Sequence, residues 1–143
     1  MIRLLGVVAV LGAFGATSAR AAEVPSCLDR TYSAEHLRTN PDQRVTRVKL
    51  VWRRDGFFTL TAWLRGDKRA YESTGMCEDA GEDVRTCTVE CDSCGTFSLR
   101  RSGTGYVLKT TAIKTTYRVA GGEMELGPSL PPDTYVVRPC AAP

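Results

Sequence analysis

The chain has 143 residues, six of them cysteines, with 24 % charged side chains and a formal charge of +3 at pH 7. That length suits one domain with a real core and leaves too little chain for two. A balance so close to neutral lends no support to nucleic-acid binding, which announces itself by a strongly basic face.

Met1-Ile2-Arg3 gives a basic start, residues 4–16 are apolar or small without a break, and Ala19-Arg20-Ala21 supplies a small-x-small cleavage pattern. These three features in this order predict a secretory signal peptide over residues 1–21 and a mature domain over 22–143. Arg3 and Arg20 leave with the leader and no carboxylate does, so the mature balance falls to 17 basic against 16 acidic side chains, or +1. The apolar run is shorter than the roughly 20 residues a membrane-crossing helix needs, and no later segment approaches it, so no transmembrane segment is expected. The predicted destination is periplasmic or secreted, an oxidising compartment where an even set of thiols becomes a disulfide framework. Val24-Pro25-Ser26 before Cys27 has the outline of a lipoprotein box, but Pro25 fits it poorly and Cys27 stands well beyond the apolar run.

Residues 22–43 hold the only helical piece: Ser33 can cap a short turn over Ala34-Glu35-His36-Leu37-Arg38, and Asn40-Pro41 stops it. From Arg44 onward, short β-rich runs alternate with turn signals, among them Asp55-Gly56, Gly66-Asp67, the acidic residues 78–83, Gly103-Thr104 and Gly121-Gly122. For the first hairpin, a three-residue loop with Gly56 left-handed sets Trp52 opposite Phe58 and Leu50 opposite Leu60. A two-residue loop would mix apolar with polar faces, so burial selects the former. The same register buries Tyr71, Ser73, Gly75 and Cys77, puts Cys87, Val89 and Cys91 on one face, and sets Leu99 opposite Leu108 and Phe97 opposite Thr110. Tyr117-Arg118-Val119, Met124-Glu125-Leu126 and Tyr135-Val136-Val137 complete the set. The expected fold class is all-β: a single antiparallel meander barrel or sandwich of seven to eight strands, disulfide-stapled, with a short N-terminal helical turn.

Cys27, Cys77, Cys87, Cys91, Cys94 and Cys140 permit fifteen connectivities. A Cys27–Cys140 clamp on the chain ends is the preferred bridge. The other four pair as Cys77–Cys87 with Cys91–Cys94, or as Cys77–Cys94 with Cys87–Cys91. The irregular spacing and the oxidising compartment argue against a zinc site, so no metal or cofactor is expected. Cys91-Asp92-Ser93-Cys94 also has the spacing of a redox-active pair, which works when a helix N-terminus lowers the first thiol's pKa. Turn and strand residues follow it here.

His36 is the only histidine, with no Gly-x-Ser-x-Gly nucleophile motif, and reads as an exposed side chain on the helical turn. Residues 78–83 read as a solvated acidic turn, and Arg65-Gly66-Asp67 as hairpin-turn chemistry. Arg47, Lys49 and Arg53 line the outer face of the first hairpin, with Arg100-Arg101 elsewhere; such a cationic stripe can meet an anionic envelope polymer, but the favoured reading is the charged outer face that keeps sheets from aggregating.

Cys27-Leu28-Asp29-Arg30-Thr31-Tyr32, then His36-Leu37 and Pro41-Asp42-Gln43-Arg44-Val45, resemble the start of a group of small exported proteobacterial proteins of unknown function. That resemblance implies an envelope location and no activity. Ser102-Gly103-Thr104-Gly105-Tyr106 with Lys109 resembles the Ser-Gly-Ser-Gly loop of periplasmic C-type lysozyme inhibitors, small disulfide-bonded β-barrels. It implies a binding role for Ser102, Gly103, Thr104, Gly105, Tyr106 and Lys109, with a lysozyme or another envelope protein as partner. The sequence therefore points to a non-enzymatic exported β domain that binds or inhibits through a rigid hairpin loop. The alternatives are a thiol–disulfide protein using Cys91 and Cys94, or a purely structural envelope component.

Overall fold

The computed structural model describes residues 23–53, 55–81 and 83–141, so the signal peptide expected over residues 1–21 lies outside the described residues. Ten strands and one short helix follow in chain order: β1 (Cys27–Thr31), α1 (Ala34–Thr39), β2 (Val45–Trp52), β3 (Phe57–Leu64), β4 (Ala70–Gly81), β5 (Val84–Val89), β6 (Thr96–Ser102), β7 (Gly105–Thr110), β8 (Thr116–Arg118), β9 (Met124–Leu126) and β10 (Thr134–Pro139). The hydrogen-bonded order β3-β2-β1-β10-β7-β6-β5-β4 returns from β4 to β3, which closes eight antiparallel strands into a barrel. β8 and β9 form a ribbon attached to β4 at Glu72 and Thr116. Of the barrel and sandwich expected from sequence, the barrel forms.

Alternation builds the interior. Trp52 faces Phe58 and Leu50 faces Leu60, with Gly56 left-handed (φ 86°), as the burial argument requires. Tyr71, Ser73 and Gly75 are buried opposite Ala62, Leu60 and Phe58, while Cys77 is half-buried. Leu99 pairs with Leu108 and Phe97 with Thr110. Phe58 and Phe97 meet edge to face at the centre, ring centroids 4.9 Å apart, the preferred aromatic geometry. Their neighbours Leu28, Leu50, Leu99 and Leu108 are fully buried, so side chains fill the barrel. Gly75 makes this packing feasible: a Cβ there would stand 2.9 Å from the Phe58 ring and collide with the Thr88 carbonyl.

The two ends differ. One carries the β2–β3, β4–β5 and β6–β7 turns together with the start of β1 and the end of β10. The other is capped by α1 and by the segment between β7 and β10. There Ile113 and Leu130 are buried and paired, and the Thr115 hydroxyl donates to the Pro128 carbonyl at 2.8 Å. Ser33 caps α1, its hydroxyl accepting from the His36 N–H at 3.1 Å.

Four expectations need correction. No strand is expected before Arg44, yet Cys27–Thr31 is a strand paired on both sides, with β2 and with β10. One buried apolar residue in five, Leu28, is too little pattern to betray it. Residues 78–81 extend β4 instead of turning, because Glu78 and Asp79 pair with Thr86 and Arg85 and the Arg85 guanidinium meets Asp79 at 3.1 Å. Cys91 does not share the face of Cys87 and Val89: β5 ends at Val89, leaving Cys91 exposed and Cys94 buried. His36 is half-buried, its ring stacked on Tyr32 with centroids 4.6 Å apart.

All six cysteines of the framework are paired. Cys27–Cys140 joins the start of β1 to the residue after β10 (Cα–Cα 5.4 Å), and the Cys140 N–H donates to the Cys27 carbonyl at 3.0 Å. Cys77–Cys87 bridges directly opposed residues of β4 and β5, and Cys91–Cys94 closes the turn between β5 and β6. Of the two expected pairings for the inner four, the first is formed.

Replacing Cys27 and Cys140 together by Ala is expected to lower stability by about 4 kcal/mol, since the bridge closes a loop of more than a hundred residues; urea unfolding of the purified variant measures it. Gly75→Ala should cost about 2–3 kcal/mol by overpacking against Phe58 and Thr88, and an unchanged midpoint would contradict the close approach.

Candidate functional site

The barrel's alternation sorts its charged side chains by direction. On β6, Phe97 and Leu99 point inward, so Ser98, Arg100 and Ser102 point outward, with the exposure that follows. On β7, Tyr106 and Leu108 point inward while Val107 and Lys109 point outward. On β10, Tyr135 and Val137 point inward, and Thr134, Val136 and Arg138 outward. Continuing through β1 and β2 adds outward Asp29, Arg47 and Lys49. This five-strand wall thus carries five cations against one carboxylate, a net +4. The outward charges of β3, β4 and β5 are Glu72 and Glu78 alone. A near-neutral chain is therefore polarised across its barrel.

Register fixes the arrangement. Arg100, Val107 and Val136 lie in one cross-strand row; Lys109 and Arg138 stand two residues to either side of that row. Val136 is 51 % exposed at the centre. Arg100, Lys109, Arg138 and Lys49 enter no ion pair among the described residues, whereas Arg47 meets Asp29 at 3.4 Å and lies over the Trp63 ring, 4.8 Å from its centroid.

The cations at the open end are used differently. Arg85 and Arg101 share the inward faces of Cys87 and Leu99, and each meets a carboxylate: Arg85 with Asp79 at 3.1 Å, Arg101 with Asp83 at 3.8 Å. Arg53 meets Asp55 at 2.8 Å. Beside them Trp52, Arg53, Arg85 and residues 23–26 line an open depression.

The hairpin residues singled out from sequence divide into three groups. Ser102, Gly103 and Thr104 are exposed at the tip, with Gly103 left-handed (φ 58°). Gly105 and Tyr106 are buried. A Cβ on Gly105 would stand 2.7 Å from the Val137 carbonyl, and the Tyr106 hydroxyl accepts from the Arg101 guanidinium at 3.4 Å inside the mouth. Lys109 lies four residues from Gly105, about 13 Å down the strand, on the same outer wall as Ser102. Tip and lysine share a wall, not a loop. Sequence reasoning missed Arg138; its signal is the Thr134, Val136, Arg138 alternation, which gains meaning once β10 is known to lie beside β7.

Other sequence features have structural employment. The Arg65 guanidinium donates to the Leu37 and Asn40 carbonyls at 2.7 and 3.0 Å, ending α1. Asp67 accepts from the Arg69 N–H at 2.9 Å and from the Tyr71 hydroxyl. Arg69 lies over Tyr117, whose hydroxyl donates to Glu125. The Tyr71 hydrogen bond holds the Asp67 carboxyl below the ordinary carboxylate range and pushes the phenol up. Among the described residues, no group of three or more His, Cys, Asp or Glu side chains converges as metal ligands would.

Comparison with protein-family models, curated proteins and solved structures gives no match.

Because the folded Asp67 is a stronger acid than the unfolded one, its bonds stabilise fully above a pH of about 4 and fade as pH falls through the lowered folded pKa. Asp67→Asn is expected to be less stable than wild type at pH 7, with the gap closing toward pH 2. Thermal melts across that range check it, and a pH-independent gap would contradict it.

Proposed function

We propose that the protein is a non-enzymatic exported binding module that meets its partner with the β6–β7 tip and the wall behind it. The observation that supports this reading most is the filled, closed barrel: Leu50, Phe58, Phe97 and Leu108 occupy the interior, so the outer surface is what it offers to another molecule. Ser102, Gly103 and Thr104 project from two strands held by six paired positions, from Phe97 and Thr110 to Ser102 and Gly105. Such a tip loses little conformational freedom on binding. The bridges at Cys27–Cys140 and Cys77–Cys87 stiffen the same end, and stapled β scaffolds suit an oxidising compartment. No helix among the described residues is long and apolar enough to cross a membrane. In its most concrete form the module inhibits a C-type lysozyme through Ser102 and Lys109.

That form is tested by titrating the mature protein into a C-type lysozyme assay. Inhibition is expected from the wild type and about tenfold weaker inhibition from the Ser102→Ala, Lys109→Ala double variant, the loss of one or two surface contacts. Full lysozyme activity in the presence of excess wild-type protein would remove the inhibitor form.

A further inference from the structure

We propose that the β6–β7–β10–β1–β2 wall binds a linear acidic polysaccharide, its carboxylates pairing with Arg100, Lys109, Arg138 and Lys49. The inference rests on the reading of the protein as a binding module and adds the chemistry of the partner. Four cations without ion-pair partners among the described residues are spread over the half of the ring formed by β2, β1, β10, β7 and β6, with Asp29 the one carboxylate among them, while the outward charges of the other three strands are both acidic. An excess of positive charge over half of an otherwise near-neutral protein attracts anions to that half.

Shape decides which anion. β2 and β6 stand four places apart in a ring of eight strands, so Lys49 and Arg100 face away from each other. A flat bilayer touches a convex wall along one strip and cannot reach both. A flexible chain can follow the curve, which spans about 20–25 Å for tilted strands spaced about 4.8 Å apart. Single-stranded nucleic acid has that flexibility too, but it is held by aromatic platforms. The outward positions of β6, β7, β10 and β1 are Ser, Thr, Val, charged residues, Gly105 and the bridged Cys27. An extended peptide gains its affinity by adding to a sheet edge, and these five strands are paired on both sides. The wall also carries the hydroxyls of Thr31, Thr134, Ser98 and Ser102, which match the donor and acceptor groups of a sugar, and its one carboxylate, Asp29, stands directly between Lys49 and Arg138.

The probe is alginate, a linear polyuronate, bound to the mature protein at low ionic strength and followed by calorimetry. Neutral dextran, phosphatidylglycerol vesicles and an oligothymidine strand serve as comparisons. Alginate is expected to bind more tightly than any of the three and to weaken steadily with added salt. Arg100→Ala, Lys109→Ala, Arg138→Ala together should weaken it at least about tenfold, as three lost surface ion pairs allow. Glu72→Gln with Glu78→Gln, on the opposite wall, should bind no less tightly than wild type. Undetectable alginate binding, an equal loss in both variants, or tighter binding to the vesicles or the oligonucleotide would each overturn the proposal. Protein that ignores alginate yet inhibits lysozyme loses the glycan reading alone; the binding module stands.

Discussion

Closure of the barrel through β1 is the constraint on which the rest depends. Five residues with a single fully buried apolar side chain, Leu28, are hydrogen-bonded to β2 on one side and β10 on the other. Without them, β2 and β10 would each present an open edge, and the meander would be an exposed sheet with a template for aggregation. So short a strand contributes little by burial. Its position is secured instead by covalent and main-chain means: the Cys27–Cys140 bridge ties it to the end of β10, and the Trp52 N–H donates to the Ser26 carbonyl at 2.9 Å. The cross-link acts where hydrophobic pattern is weakest.

Closure also gives the surface its electrical character. In an open sheet the outward faces of β2 and β6 would look the same way; in a ring they look apart, and the cations are distributed around half a circumference. The chain spends its carboxylates elsewhere. Asp79, Asp83 and Asp55 neutralise the arginines at the mouth, and Asp67 and Glu125 bind tyrosine hydroxyls at the capped end. What remains on the wall is nearly all positive. Net charge alone conceals this, because a formal sum of +3 is equally compatible with an even mixture and with two opposed faces.

Much of the fold was legible because period-two burial admits only one register wherever one face is apolar. The Trp52–Phe58 and Leu99–Leu108 pairings follow from that rule, and both hold. The rule has no purchase on Cys27–Thr31, whose pattern is a single leucine, nor on residues 78–81, where cross-strand pairing and the Arg85–Asp79 contact sustain a strand that composition marks as a turn. The site was less legible than the fold for a related reason. Arg100 and Lys109 belong to one hairpin and can be related by sequence reasoning. Arg138 becomes their neighbour only through β10, and Lys49 joins the same half of the ring only through β1, and so only once β1 is known to exist.

The hairpin tip shows how geometry refines a local motif. Read as letters, Ser102 to Tyr106 is a loop of five; folded, it is a tight turn whose last two residues belong to the barrel. Gly105 is small because β10 passes close beneath it, and Tyr106 is aromatic because it fills the mouth beside Arg101. The glycines and the tyrosine of the motif are thus accounted for by folding, whereas Ser102 and Thr104 have no packing reason to be what they are. Residues that the scaffold does not need are the ones a partner can use, and the same argument extends along the wall to Arg100, Lys109 and Arg138. None of these cations is held by a carboxylate among the described residues, and their chemistry is spent on no contact that the barrel requires.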